Sequence, residues 1–262
     1  MGNIKLGVIG IISEETKNDL WGTMQKLADL GYSGVEAGPM QLLEGNAAEN
    51  MNRFHSMGLE VITVSADAKV LTEGLDKLTK QAHALGAPHA TVWRLPTDTR
   101  DEVMRTTELL EAAGKRLAAE GIKLCYHNHE FEFVNVFNGV SAIDLMAEYS
   151  DPKHVYFELD IAWATFAGEK PANVIRKMKE RIPAIHIKDL YGKATWDHSY
   201  EGYKQKIFTA LGTGDVNLPE GIQAAIDAGI RWMVVEQDLP RNLKGMDIVT
   251  LDALYLREMG LI

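Results

Sequence analysis

The sequence has almost no cysteine. Cys125 is the one cysteine among 262 residues, so no internal disulfide can form. A small disulfide-stapled fold is therefore excluded, and we expect the protein in the reducing cytoplasm. We expect no secretory signal either, because the apolar segment at residues 4–12 is short and Ser13-Glu14-Glu15 follows it instead of a small-residue cleavage site.

The sequence also lacks an excess of basic residues. Its 27 Lys and Arg stand against 37 Asp and Glu, which gives a net charge of −10. Nucleic acids require a basic surface, so we expect no nucleic-acid partner. The same acidic charge disfavours an anionic membrane surface, and no apolar run approaches the roughly 18 residues of a membrane span.

What the sequence does contain is a loose internal repeat. Amphipathic segments end in a glycine, and an apolar segment follows within a residue or two, at Gly31, Gly58, Gly86, Gly121 and Gly229. A glycine just past a helix adopts the left-handed conformation that closes the last turn. This repeat predicts helices alternating with parallel strands.

Eight strand–helix units can be read from this pattern. The predicted strands are 4–12, 34–38, 60–66, 89–95, 122–128, 155–160, 184–188 and 232–237. The predicted helices are 16–30, 46–57, 72–85, 99–120, 139–149, 171–180, 218–228 and 248–259. The fourth helix begins with a Thr99-x-x-Glu102 capping box. Eight units predict an α/β fold, a closed (β/α)8 TIM barrel, as a single domain over residues 1–262. An open doubly wound sheet is the alternative, but no Gly-x-Gly-x-x-Gly follows the first strand.

Polar residues stand at the C-terminal ends of the predicted strands. Because these ends share one mouth in a barrel, and side chains at i and i+2 share a face, we expect them to converge. The inward set comprises Glu36, Asp67, Arg94, His127, His129, Glu158, Asp160, His186, Lys188, Glu236 and Asp238. Buried charges are costly unless they are paired or bind metal. Asp160, His186 and Glu236, with one group from strand 5, predict a site for Mn²⁺, Zn²⁺, Co²⁺ or Mg²⁺.

Several of these residues have a second interpretation. Glu158 and Lys188 could form an internal ion pair. Arg94 could clamp a phosphate or carboxylate, or neutralise an acid such as Asp67. Trp93 and Trp163 could stack on a sugar or pack in the barrel. The long segment 190–216, rich in aromatic residues (Trp196, His198, Tyr200, Tyr203 and Phe208), predicts an active-site lid or a contact in a homo-oligomer.

In these motifs the chain resembles the xylose isomerase-like sugar isomerase and epimerase superfamily. The motifs are Gly31-Tyr32-Ser33-Gly34-Val35-Glu36, Tyr126-His127-Asn128-His129, Glu158-x-Asp160-x-x-Trp163, His186-x-Lys188-Asp189, Gly212-x-Gly214 and Val235-Glu236-Gln237-Asp238. The resemblance implies metal ligands on strands 5 to 8, which here are Asp160, His186, Glu236 and one residue of strand 5. Strand 5 departs from the family's Glu-Asn-His, so Glu132, His127 and His129 are alternatives. Glu132 is preferred because it would restore the carboxylate shell.

The resemblance further implies a metal-dependent isomerase or epimerase that acts on a keto sugar or keto-polyol through an enediolate. Among the possible metals we expect Mn²⁺ first, held by Glu132, Asp160, His186 and Glu236. The expected catalytic residues are Glu236, His127, His129 and Lys188. The expected substrate-binding residues are Glu36, Arg94, Glu158 and Trp163.

Three other functions are weighed against this one. A dehydratase (a lyase) acting on an inosose or a 3-keto sugar is the first, because Trp163 replaces a histidine that many relatives have and strand 5 is altered. An endonuclease of the abasic-site type is the second, and the charge of −10 opposes it. A catalytically silent sugar-binding barrel is the non-enzyme alternative.

Overall fold

A parallel barrel forms the centre of the fold. The computed structural model describes residues 4–192, 207–238 and 243–262. The barrel strands are β1 (Lys5–Val8), β2 (Gly34–Val35), β3 (Glu60–Val61 and Thr63–Ala66), β4 (His89–Trp93), β5 (Lys123–His127), β6 (Val155–Asp160), β7 (Ala184–Ile187) and β8 (Trp232–Val235). All neighbouring pairs are parallel.

The third strand closes the ring. Its first segment pairs with β2 and its second segment pairs with β4, and Ile62 separates the two. Around the ring the order is β3, β2, β1, β8, β7, β6, β5, β4 and β3 again. The predicted (β/α)8 barrel is therefore confirmed.

Helices surround the barrel. They are α1 (Ser13–Asn18), α2 (Leu20–Leu30), α3 (Ala47–Ser56), α4 (Leu75–Leu85), α5 (Arg100–Ala119), α6 (Phe131–Val134), α7 (Ala142–Glu148), α8 (Ile161–Phe166), α9 (Pro171–Met178), α10 (Leu218–Asp227) and α11 (Gly245–Glu258). The eight predicted helices are found within a few residues. The short helices α6 and α8 were not predicted, because one or two turns are too short to show a helical period.

The helix ends follow the predicted chemistry. The five glycines of the repeat all have left-handed φ angles, from 65° at Gly86 to 99° at Gly31. Thr99 and Glu102 form both hydrogen bonds of the capping box at the start of α5. The repeat thus marks where these five helices close and the next strand begins.

The barrel strands have an apolar outer face, whereas their inward face is apolar at one end of the barrel and polar at the other. In β6, Val155, Phe157 and Leu159 are fully buried against the helices. A small apolar cluster of Ile62, Ala184, Trp232 and Val234 lies apart from this core, on the inward-facing strand positions. The inward-facing polar residues lie at the other end of the barrel interior, where the strands have their C-terminal ends.

A short antiparallel ribbon follows β7. Asp189–Tyr191 pairs with Ile207–Thr209, and Phe208 is buried. The intervening residues Trp196, His198, Tyr200 and Tyr203 lie outside the described residues, so the lid or oligomer contact stays a prediction. In the described part of the chain, no helix is long and apolar enough to cross a membrane.

Candidate metal and catalytic site

Four ligand-type side chains converge at the C-terminal ends of β5 to β8. One ligand atom each from His127, Asp160, His186 and Glu236 lies within 4.8 Å of the others. This upper cluster contains three of the predicted ligands, and it adds His127, which was one alternative for strand 5. The first three side chains are buried and Glu236 is partly exposed, so a bound ion would lie at the boundary between core and mouth.

The local structure aims Asp160 at the cluster. Its Oδ1 accepts the backbone N–H groups of Ala162 and Trp163, and so caps α8. Its backbone N–H donates to the side-chain oxygen of the buried Asn128 on the neighbouring strand. These bonds leave Oδ2 for the cluster. The role of Asn128 was missed from the sequence, although it stands inside the His127-Asn128-His129 motif.

A lower cluster of Glu36, Glu158 and His186 lies behind the upper one. Nδ1 of His186 lies 2.7 Å from Glu236 Oε2, and Nε2 lies 2.9 Å from Glu36 Oε2. His127 also lies between an upper and a lower carboxylate. Its Nε2 is 3.8 Å from Asp160 Oδ2, and its Nδ1 is 3.5 Å from Glu158 Oε2. Each imidazole thus joins the two clusters. Glu36 and Glu158, expected to bind substrate, contact the histidines and also line the cavity above them, so their substrate-binding role stays a prediction.

Lys188 provides the positive charge of the site. Its Nζ lies 2.8 Å from Asp160 Oδ2, 2.6 Å from Glu236 Oε2 and 2.8 Å from Asp238 Oδ2. The ion pair with Glu158, one of the two alternatives for these residues, is not formed, since Glu158 contacts the two imidazoles. The side chain of Lys188 is 1% exposed, so a full positive charge is buried here.

The ionisable groups of the two clusters shift one another's pKa values. Burial and the negative charge of Glu158 raise the pKa of Glu36 to about 8. Burial works to raise the pKa of Glu158 as well, but His186 and His127 outweigh it and hold that pKa below its ordinary value. Burial opposes protonation of His186, yet Glu36, Glu158 and Glu236 raise its pKa well above the usual range.

The residues present fit a divalent cation. Five carboxyl groups, from Glu36, Glu158, Asp160, Glu236 and Asp238, surround two cations, the Lys188 ammonium and the His186 imidazolium. Even with Glu36 protonated near pH 7, the other four acids outnumber these two cations. Glu158 Oε2 is buried and accepts no well-aligned hydrogen bond. Such a state is costly unless a positive charge compensates it. Carboxylate and imidazole ligands without thiolate suit Mn²⁺, Zn²⁺, Co²⁺ or Mg²⁺.

His129 and Glu132 lie on different sides of strand β5. His129 lines the mouth and stacks on Phe131 with a ring distance of 5.5 Å. Glu132 is fully buried; it accepts hydrogen bonds from the Tyr126 hydroxyl at 2.5 Å and from the His129 N–H at 2.8 Å. The structure therefore does not bring Glu132 to the other predicted ligands, because helix α6 turns it toward the outward-facing Tyr126.

The remaining predicted contacts are divided between wall and surface. Trp163 is fully buried and packs on His129 and Phe208, so it forms a wall of the site. Arg94 is exposed with a left-handed φ of 56°. Asp67 is exposed and caps the turn at Val70. The structure thus leaves Arg94, Asp67 and Trp163 out of the ligand clusters.

An inner cavity of about 220 Å³ opens over both clusters. Its polar lining includes Glu36, His127, His129, Glu158, His186, Glu236 and Asp238. Trp93 lies at its edge and is 53% exposed. A buried set of convergent polar groups beside an exposed aromatic ring is typical of a small-molecule site.

The fold and the sequence have close counterparts among known proteins. The family model described as Xylose isomerase-like TIM barrel matches residues 24–258. Inosose dehydratase from Lacticaseibacillus casei is 26% identical over 221 residues, covering 81% of this chain and 69% of the relative.

Two solved structures illustrate the likeness in fold. A sugar phosphate isomerase/epimerase from Parabacteroides distasonis superimposes with a TM-score of 0.80 at 20% identity, covering 100% of this chain and 96% of the other. The IolI protein, solved with a zinc atom, superimposes with a TM-score of 0.72 at 14% identity, covering 97% of each chain. At these identities the likeness establishes a shared fold.

Proposed function

Because the chain belongs to the xylose isomerase-like TIM-barrel family, we propose that it is a metal-dependent enzyme that removes an α-proton from a keto sugar or keto-polyol. The reaction would pass through an enediolate and end as an isomerisation or epimerisation. The observation that carries this proposal is the upper cluster, with four ligand atoms within 4.8 Å at the ends of four consecutive barrel strands.

The upper cluster would hold the metal through His127, Asp160, His186 and Glu236. Mn²⁺ is our first choice, and Zn²⁺, Co²⁺ and Mg²⁺ are alternatives. When bound, a divalent cation supplies positive charge that stabilises negative charge developing on a substrate oxygen. Glu36 and Glu158 would fix the orientation of the two imidazoles, as carboxylates commonly do behind metal-binding histidines.

His129 is placed to move the proton. It lines the inner cavity, and burial, together with the positive charge of Lys188, holds its pKa well below the usual range. The ring is therefore neutral near pH 7 and can accept a proton. Glu236 is the alternative base. Lys188 keeps its proton, because Asp160, Asp238 and Glu236 outweigh burial and raise its pKa, so its positive charge would polarise a substrate oxyanion.

A dehydratase is the second candidate. The same proton abstraction leads to dehydration when a β-hydroxyl leaves instead of the proton returning. The similarity to inosose dehydratase supports this outcome. Mass spectrometry of the products separates the two, since dehydration removes the mass of one water, whereas epimerisation and isomerisation preserve the substrate's mass.

Replacement of Glu236 tests the proposal. Glu236→Gln removes one ligand charge, so we expect loss of stoichiometric metal and of metal-dependent α-proton exchange in D2O. Glu108→Gln, an exposed change on α5, should retain both. A metal-replete and fully active Glu236→Gln would disprove the assignment. A wild-type protein that binds no metal would instead favour a silent sugar-binding barrel.

A further inference from the structure

His129 lies among aromatic rings just beyond the end of β5. Its ring is nearly parallel to that of Phe131, with 5.5 Å between the ring centroids and 9° between the planes. Trp163 and Trp93 lie 5.3 Å and 5.9 Å away, tilted by 40° and 43°. In the described part of the chain, the buried Nδ1 of His129 has no hydrogen-bond partner. Packing, and not a hydrogen bond at that nitrogen, therefore sets the direction of the ring.

Two side chains fix the backbone of His129. Its N–H donates to Glu132 Oε2 at 2.8 Å, and its carbonyl oxygen accepts from Asn128 Nδ2 at 3.3 Å. Glu132 is fully buried, and its other carboxyl oxygen lies 2.5 Å from the Tyr126 hydroxyl. The carboxyl group thus connects the outer face of β5 to the chain that leaves the strand.

Phe131 and Glu132 are neighbours at the start of helix α6. One packs on the ring of His129 and the other holds its backbone, so a single helical turn acts on His129 from two directions. Neither residue belongs to the upper or the lower cluster, and neither lines the inner cavity. Any effect that they have on the reaction must therefore pass through His129.

We propose that Phe131 and Glu132 are positioning residues for His129: Glu132 holds the backbone and Phe131 holds the plane of the ring, so that the imidazole faces the inner cavity. This inference rests on the proposed function, in which His129 accepts the α-proton. It goes further by giving the buried Glu132 a task in the reaction. A shift of about 1 Å in a reacting group can cost about 10²-fold in rate, so the loss of either contact should be measurable.

Two substitutions of Glu132 separate its hydrogen bonds from its bulk. Glu132→Gln keeps both partners, since the amide oxygen can accept the His129 N–H and the amide N–H can donate to Tyr126. Glu132→Leu occupies similar space but leaves the His129 N–H without its acceptor. Through-space proton NMR cross-peaks between the rings of His129 and Trp163 report the ring position in the metal-free protein. We expect them in the wild type and in Glu132→Gln, and we expect their loss in Glu132→Leu; their retention there would overturn the inference.

Kinetics distinguish a positioning role from a general loss of structure. The Mn²⁺-loaded protein is given 3-keto-glucose, and α-proton exchange is followed by NMR in D2O. We expect kcat of Glu132→Leu to fall about 10²-fold, with KM and the Mn²⁺ affinity as in the wild type, and Glu132→Gln to keep the wild-type kcat. Equal kcat values in the two variants would overturn the inference. So would a loss of Mn²⁺ affinity in Glu132→Leu, because the metal site itself would then depend on Glu132.

Phe131 provides a second test if Glu132→Leu does not fold. Phe131→Leu removes the stacked ring, whereas Phe131→Tyr retains it. Phe137→Leu is the matched control, because Phe137 is also a partly buried phenylalanine close behind α6. We expect Phe131→Leu alone to weaken the cross-peaks between His129 and Trp163 and to lower kcat by about tenfold. Wild-type cross-peaks and kcat in this variant would overturn the inference.

The two proposals fail separately. If the wild-type protein exchanges no α-proton, the result counts against the proposed function, and the cross-peaks alone decide how His129 is held. If folded Glu132→Leu exchanges the α-proton at the wild-type kcat, the proposed function stands and the positioning role of Glu132 is overturned.

Discussion

Nε2 of His186 lies 2.9 Å from a carboxylate oxygen of Glu36, across the barrel interior from β7 to the end of β2. The other nitrogen of the same ring faces Glu236 in the upper cluster. A histidine that binds metal through one nitrogen commonly donates its other N–H to a carboxylate, which fixes the ring and its tautomer. Glu36 would therefore act on the proposed metal through His186.

Glu36→Gln should weaken metal binding. Burial keeps Glu36 protonated near pH 7 without metal, but a cation beside His186 would favour its carboxylate form. The amide cannot form a carboxylate, so His186 would be a poorer ligand in the variant. Loss of such a partner costs about 10–100-fold in metal affinity. Calorimetric titration with Mn²⁺ measures the effect, and Glu44→Gln at an exposed position nearby serves as the control. Equal affinity in both variants would show that Glu36 does not support the ligand.

Lys188→Met should make the fold more dependent on metal. The change leaves Asp160, Glu236 and Asp238 without their shared countercharge, and removal of one partner of a buried pair costs about 3–5 kcal/mol. We expect this loss in urea unfolding without metal. Added Mn²⁺ should stabilise the variant more than the wild type, since it restores positive charge. Equal stabilisation of both proteins would contradict the placement of the metal.

Much of the site could be predicted from the alternation of side chains along the strands. Asp160, His186 and Glu236 come together because side chains at strand ends face one mouth. The partner of Lys188 could not be predicted, because it depends on the stagger between strands. β6 and β7 pair with Glu158 opposite Ala184 and with Asp160 opposite His186. Lys188 therefore lies above Asp160, four residues beyond the level of Glu158.

The position of Glu132 could not be predicted from the sequence either. It follows strand β5 closely, and an extended chain would carry it to the mouth. The four-residue helix α6 instead turns it back to Tyr126 on the outer face of the strand. A single helical turn has no periodic pattern by which it could be recognised.

Glu132 should make the stability of the protein depend on pH. Burial raises its pKa from 4.5 to about 8. Below pH 4.5 both the folded and unfolded states carry the proton; between 4.5 and 8 only the folded state holds it. The free energy of unfolding therefore falls as pH rises through this window, by a contribution on the order of 3–5 kcal/mol.

Glu132→Gln removes this contribution. The amide carries no titratable proton, so the free energy of unfolding should fall less between pH 5 and pH 8 than it does in the wild type. Urea unfolding of both proteins at the two pH values measures the difference, in which the other titrating groups cancel. The same pH dependence in both proteins would mean that Glu132 titrates normally in the fold.

The buried Asp189 organises the chain that returns from the ribbon after β7. Its two carboxylate oxygens accept the backbone N–H groups of Leu190, Gly212, Gly214 and Val216. The backbone at Gly214 passes so close that a Cβ atom there would lie 2.3 Å from Asp189 Oδ1 and 2.7 Å from the carbonyl oxygen of Leu190. This close approach explains Gly214 of the Gly212-x-Gly214 motif, and a left-handed φ of 79° explains Gly212.

Gly214→Ala should therefore destabilise the fold. The added methyl group forces Asp189 or the backbone to move, and overpacking of this kind costs about 1–3 kcal/mol. Gly74→Ala is the matched control, because its Cβ atom would make ordinary contacts of 3.5 Å and more with Val70; it should be neutral or stabilise by about 0.4–1 kcal/mol. Urea unfolding of the two variants measures the contrast. If Gly214→Ala were as stable as Gly74→Ala, the close packing of Asp189 against Gly214 would not constrain this position.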